Sequence, residues 1–158
     1  MIDLGYRALQ EPASSRVLRD AILTRHDALR GMAVESVDWA ERLMTSEADV
    51  ARLRAGARMF YRSVEDYLAF EDEALPPALR DVIGWGPVLL EQIEEDHRRQ
   101  REALATALMA LEPDAMPWFE LASVLRAFAA DLLRDLERED EALLNAQLDA
   151  IASDSPGG

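Results

Sequence analysis

Six side chains of this sequence have the types from which a buried metal or acid-base site is made, and each interrupts an otherwise apolar helical seam: His26, Tyr67, Glu71, His97, Asp135 and Glu139. Heptad steps reveal the interruptions. From Val50 they run through Ala57 and Val64 to Glu71, and from Leu53 through Phe60 to Tyr67. From Leu121 they pass Phe128 and reach Asp135, and from Leu125 they pass Leu132 and reach Glu139. His97 shares a register with Leu90, Leu104 and Leu111, while His26 lies four residues after Ile22 and seven before Ala33. A carboxylate withdrawn from water without a partner costs several kcal/mol, so these groups need hydrogen bonds, a proton or a cation. A bound metal ion answers that need. Tyr67 stands one turn before Glu71 on the same face, so both oxygens are placed to reach one ion. The other reading is that its ring packs in the core and its hydroxyl bonds Asp135 or Glu139 across the bundle.

The same order of groups recurs in the two halves of the chain. Glu71-Asp72-Glu73-Ala74-Leu75 returns as Glu139-Asp140-Glu141-Ala142-Leu143, and the separation of His26 from Glu71 is close to that of His97 from Glu139. Each histidine is followed four residues later by an arginine, Arg30 and Arg101. Such a repeat implies a pseudo-twofold site to which each half gives one imidazole and one or two oxygen ligands, an arrangement suited to a pair of metal ions. The arginines are placed either to neutralise nearby carboxylates or to stand in the cavity as cationic replacements for metal.

Four long segments with helical periodicity must position these groups. The first runs from about Ser15 to Met44. Thr45-Ser46 offers an N-cap for the second, which Pro76-Pro77 is expected to end. A connection through Asp81, Gly84, Trp85 and Pro87 leads to the third, which carries Leu90 to Leu111, and Pro113 and Pro117 bracket the turn before the fourth, from about Pro117 to Leu148. No alternating β-type run competes. The expected fold is all-α, an antiparallel up-down-up-down four-helix bundle in one domain over residues 1–150, with a disordered tail over 151–158. Gly31 and Gly56 are candidates for close helix approach, and Trp39, Trp85 and Trp118 read as core or interface aromatics.

Charge and composition narrow the function classes. The chain has 158 residues with 49% hydrophobic and 30% charged side chains, which is globular rather than disordered. Its formal charge of −14 repels phosphate backbones and anionic lipid, so neither nucleic acid nor a membrane is an expected partner. With no cysteine there is no disulfide, thiolate site or thiol nucleophile, and a cytoplasmic location is expected. The residues before Glu11 lack the apolar core of a signal peptide, and no apolar run approaches the ~18 residues that span a bilayer. No phosphate-binding loop, zincin helix or nucleophile elbow is present to support nucleotide hydrolysis or hydrolase chemistry. Glu94 and His97 make half of a ferritin-type Glu-x-x-His pair, but His26 has Leu23 at the corresponding position.

The motifs resemble those of the hemerythrin-like family. Tyr67-Leu-Ala-Phe-Glu71-Asp-Glu-Ala-Leu75-Pro-Pro77 is similar to the family's second-helix segment, Glu94-Glu-Asp-His97-Arg-Arg-Gln-Arg101 to its third and Asp135-Leu-Glu-Arg-Glu139-Asp-Glu-Ala-Leu143 to its fourth. The resemblance covers about Ser15 to Leu148. It implies a non-haem metal centre, expected to be di-iron with manganese or zinc as other occupants, that meets dioxygen, nitric oxide or peroxide or serves iron handling or sensing. His26, Glu71, His97 and Glu139 match ligand positions, while Tyr67 and Asp135 stand where the family has two further histidines. Arg101 replaces another histidine of the oxygen carriers. The ligand set is therefore harder and richer in oxygen, which favours iron(III) or manganese. The alternative is a metal-free scaffold for protein interaction in which Arg30 and Arg101 pair with Glu71 and Glu139.

Overall fold

A computed structural model describes residues 12–42, 45–80, 84–112 and 117–154. It contains four helices: α1 (Pro12–Glu41), α2 (Glu47–Arg80), α3 (Gly86–Met109) and α4 (Trp118–Asp154), with no strand among the described residues. The helices begin where the local chemistry permits. Ser46 caps α2, its Oγ accepting a hydrogen bond from the Asp49 backbone N–H at 3.1 Å. Pro87 sits in the first turn of α3, where a missing N–H costs nothing. Gly84 before it takes a positive φ of 95°, a conformation that favours glycine. The Pro117 carbonyl accepts the N–H groups of Glu120 and Leu121 as α4 opens.

Two sequence expectations need correction. Pro76-Pro77 does not end the second helix, which continues to Arg80. A proline inside a helix costs about 3 kcal/mol through a lost donor and a steric clash. The turn persists because Ala74, Leu75 and Leu79 on its inner side are buried together with residues of α1 and α3. Gly31 and Gly56 do not serve close helix approach either, since a Cβ at each would meet no atom within 4 Å. Of the expected tail, 151–154 continue α4, and 155–158 lie outside the described residues, as do Met44, Asp81, Pro113 and the segment before Glu11.

The helices pack as a bundle in which α1 lies chiefly against α4 and α2, and α3 against α2 and α4. Two apolar clusters fill it. The larger joins Leu29, Ala33 and Ala40 with Leu53, Ala57 and Phe60, with Leu104 and Ala107, and with Leu121 through Leu136. The smaller joins Leu18 and Ile22 with Leu75 and Leu79 and with Leu89, Leu90 and Ile93, and Ala142 and Leu143 pack on it. Trp39 and Trp118 pack half-buried on the first cluster and Trp85 on the second. On every helix the chain passes from one cluster to the other across a buried polar residue: His26, Glu71, His97 and Glu139. The seam interruptions thus form one polar layer between two apolar plugs. Among the described residues no helix is long and apolar enough to cross a membrane.

Candidate metal centre

The polar layer is almost sealed: His26 is 0% exposed, Glu71 and His97 1% each and Glu139 3%. Glu71 lies at its middle. Its Oε1 accepts from His26 Nε2 at 2.9 Å and its Oε2 from His97 Nε2 at 2.8 Å, so one carboxylate spans both imidazoles. Glu139 approaches the same two nitrogens less closely, Oε2 at 3.4 Å from His26 and Oε1 at 3.7 Å from His97. The Tyr67 hydroxyl donates to Glu139 Oε2 at 2.6 Å and lies 3.0 Å from His26 Nε2. Glu139 Oε1 is buried without a hydrogen bond.

An outer set of groups aims the imidazoles inward. His26 Nδ1–H donates to Asp140 at 2.5 Å, and Arg30 donates to the other oxygen of that carboxylate at 2.6 Å. His97 Nδ1–H donates to Asp72 at 2.8 Å, and Arg101 donates to the other oxygen of Asp72. The two relays are copies of each other: the aspartate follows the layer's glutamate, and the arginine follows the histidine by one turn. Such a carboxylate fixes the ring's orientation and leaves Nε2 as the inward-facing ligand atom, the usual support of a metal-bound histidine.

Electrostatics follow from this crowding. Burial alone lowers the pKa of His26, but the hydrogen bonds it donates to Glu139, Glu71 and Asp140, with the charge of Glu71, outweigh it and raise the value to about 10. The same contest, with Glu71 and Asp72 as the main partners, raises His97 to about 9. With a carboxylate at each ring nitrogen and no metal, both N–H groups have acceptors and the imidazolium is favoured. Burial opposes ionisation of Glu71, yet the two histidines hold its pKa below the ordinary glutamate value. Burial, with the neighbouring Glu71 charge, raises Glu139. Tyr67 is raised well above 10 by burial and by both glutamates.

Five of the six expected residues therefore converge: His26, Tyr67, Glu71, His97 and Glu139. Asp135 is buried in the same seam but held elsewhere, accepting from Gln100 Nε2 at 3.0 Å and pairing with Arg138. Arg30 and Arg101 pair with Asp140 and Asp72, not with Glu71 and Glu139 as the metal-free reading required. Asp72 and Asp140 are the functional residues that seam counting misses. Their signal was the duplicated Glu-Asp pair, together with the duplicated His-x-x-x-Arg spacing.

The donor set suits a metal ion. His26, Glu71 and Glu139 offer ligand atoms that all lie within 4.8 Å of one another, a buried group that could hold an ion. The orphaned Glu139 oxygen and the pre-aimed imidazoles fit that use. In comparisons with known proteins no family model matches the chain, and no curated protein or solved structure matches it either.

Proposed function

We propose that the chain is a metal-binding protein of the hemerythrin-like kind, an antiparallel up-down-up-down four-helix bundle whose polar layer holds a pair of iron ions. One observation carries this reading: Glu71 and Glu139 each turn one oxygen toward His26 and the other toward His97. Two ions, each with its own imidazole, would share both carboxylates. The helix order is supported by the clusters, because the end of α1 shares one with the start of α2, and the end of α2 shares the other with the start of α3.

Nitrogen and hard oxygen donors favour iron, with manganese and zinc as competitors. Iron bound there supplies a Lewis-acidic, redox-active centre for a small ligand such as dioxygen, nitric oxide or peroxide. The residues bind the ions, orient the imidazoles through Asp140 and Asp72, and exclude bulk water. Two imidazoles in place of the oxygen carriers' five favour peroxide or nitric oxide chemistry, iron handling or sensing over reversible oxygen carriage.

Metal analysis of protein purified without chelator, then supplemented with ferrous iron, tests the reading. Two equivalents of iron support the pair, and one reduces the centre to a single ion. None would favour the metal-free scaffold, for which the double hydrogen bond of Glu71 to both imidazoles already neutralises much of the layer.

A further inference from the structure

Two cavities reach the buried layer from solvent: a smaller one of about 260 Å³ between α2 and α3, lined by Glu71 and His97 and walled by Arg101, and a larger one that ends on Glu139. The larger, a groove of about 860 Å³, runs between α3 and α4 and is lined by Glu139 at its inner side. Its walls carry Glu91, Glu94, Glu95 and Asp96 against Arg98 and Arg138. Both arginines are already engaged, Arg98 with Glu95 and Glu102 and Arg138 with Asp135 and Asp96. Glu91 and Glu94 make no ion pair among the described residues. The groove is therefore a negative surface that ends on a carboxylate 97% withdrawn from solvent whose Oε1 has no hydrogen bond. Glu71 offers no such free oxygen, because both of its oxygens accept from imidazoles.

We propose that this groove is the path by which divalent transition-metal cations reach the centre, with the unpaired Glu91 and Glu94 gathering the ion, Glu95 adding to the field, and Glu139 as the first inner group to receive it. The proposal rests on the metal-binding reading above. Field lines from carboxylates lining a cleft raise the local concentration of cations and accelerate their association by 10- to 1000-fold in favourable cases. The same field disfavours anions, so a phosphate or carboxylate compound is a poor occupant. Ala142 lines the groove together with Glu139 and has the smallest side chain that carries a Cβ.

The test is the rate of Co2+ uptake by metal-free full-length protein, followed by stopped-flow absorbance of the bound ion at low and high salt. Glu91→Gln/Glu94→Gln/Glu95→Gln should load about 5- to 10-fold more slowly than wild type at low salt, with the gap closing at high salt and the final stoichiometry unchanged. Asp38→Asn/Glu65→Gln/Glu120→Gln removes as much charge from exposed positions outside the groove and should slow uptake far less. Ala142→Leu, which narrows the groove without changing charge, should slow uptake at both salt concentrations. A groove variant that loads as fast as wild type, or is slowed no more than the control, overturns the path. So does one that loses stoichiometry at an unchanged rate, since its residues would then be ligands. Wild type that takes up no Co2+ removes the centre itself and the path with it.

Discussion

The His26 and His97 sides of the polar layer share one outer frame and differ inside it. Each imidazole is anchored by an aspartate held by an arginine, and each meets one oxygen of Glu71. The residues one turn before the two glutamates then part company. Tyr67 joins the layer, bonding Glu139 and reaching His26, whereas its counterpart Asp135 is drawn away by Gln100 and Arg138. His97 consequently has no third close partner at Nε2, and its distance to Glu139 is 3.7 Å against 3.4 Å for His26. A near-symmetric frame can thus hold two unequal positions, one closed by a phenol and one left short of a donor. The latter is the position beside His97.

Substitutions at the layer test whether the two sides differ in this way. The largest effect is expected at the group both sides share: Glu71→Ala should abolish metal uptake and cost the metal-free protein about 3–5 kcal/mol, because two buried imidazolium groups lose their common acceptor. Thermal melts and metal analysis check both halves of that statement. Loss of one equivalent with the other intact would mean that Glu71 serves one side only.

Alkaline pH should come next. For the metal-free protein, stability from His97 and His26 is fully present below their unfolded value near 6.5 and is lost as pH rises through about 9 and about 10. The raised pKa of Glu139 acts in the same direction, while the lowered values of Glu71 and Asp72 make stability fall again in acid. Metal uptake must displace these imidazole protons, so binding in weak buffer at neutral pH should release about two protons per pair of ions. Denaturant melts across pH and proton release measured with an indicator dye report the two effects. A flat profile between pH 6.5 and 10 would mean that the histidines are neutral in the fold.

The inequality of the sides is tested more directly by the histidines. His26→Ala should destabilise the metal-free protein by about 1 kcal/mol more than His97→Ala, since it also strips Tyr67 of a partner. Equal melting temperatures would argue that Tyr67 adds nothing to the His26 side. Tyr67→Phe should cost about 1–2 kcal/mol by leaving Glu139 without its phenolic donor. In oxidised, iron-loaded protein the same change should remove a visible phenolate-to-iron band while iron remains, and Asp135→Asn should leave that band in place. Wild type that lacks the band confines Tyr67 to its hydrogen bond with Glu139. The smallest effects, within about 0.5 kcal/mol, belong to Glu73→Ala and Glu141→Ala, which share the duplicated pentapeptide but face solvent.

Periodicity carried the sequence reading furthest where burial is regular. Heptad counting found all six seam residues, and each is buried. It could not say which of them meet. Tyr67 and Asp135 occupy equivalent steps, and only the packed neighbours, Gln100 and Arg138 among them, decide that one enters the layer and the other does not. Asp72 and Asp140 escaped because they sit one position off the seam, partly exposed at 37% and 20%, and act through the rim of an imidazole. Pro76-Pro77 misled for the opposite reason: a strong local rule yielded to burial of Ala74, Leu75 and Leu79.

The two anchoring relays also cross the midpoint of the chain. His26 and Arg30 of the first half grip Asp140 of the second, and His97 and Arg101 of the second half grip Asp72 of the first. Neither half contains a finished relay. Each lends its aspartate and borrows the other's, as two identical helical pairs would if they met face to face about a twofold axis. One such helical pair, used twice, would supply both relays. The phenol at Tyr67 and the withdrawn carboxylate at Asp135 are the kind of difference that a single chain can encode and a symmetric pair cannot.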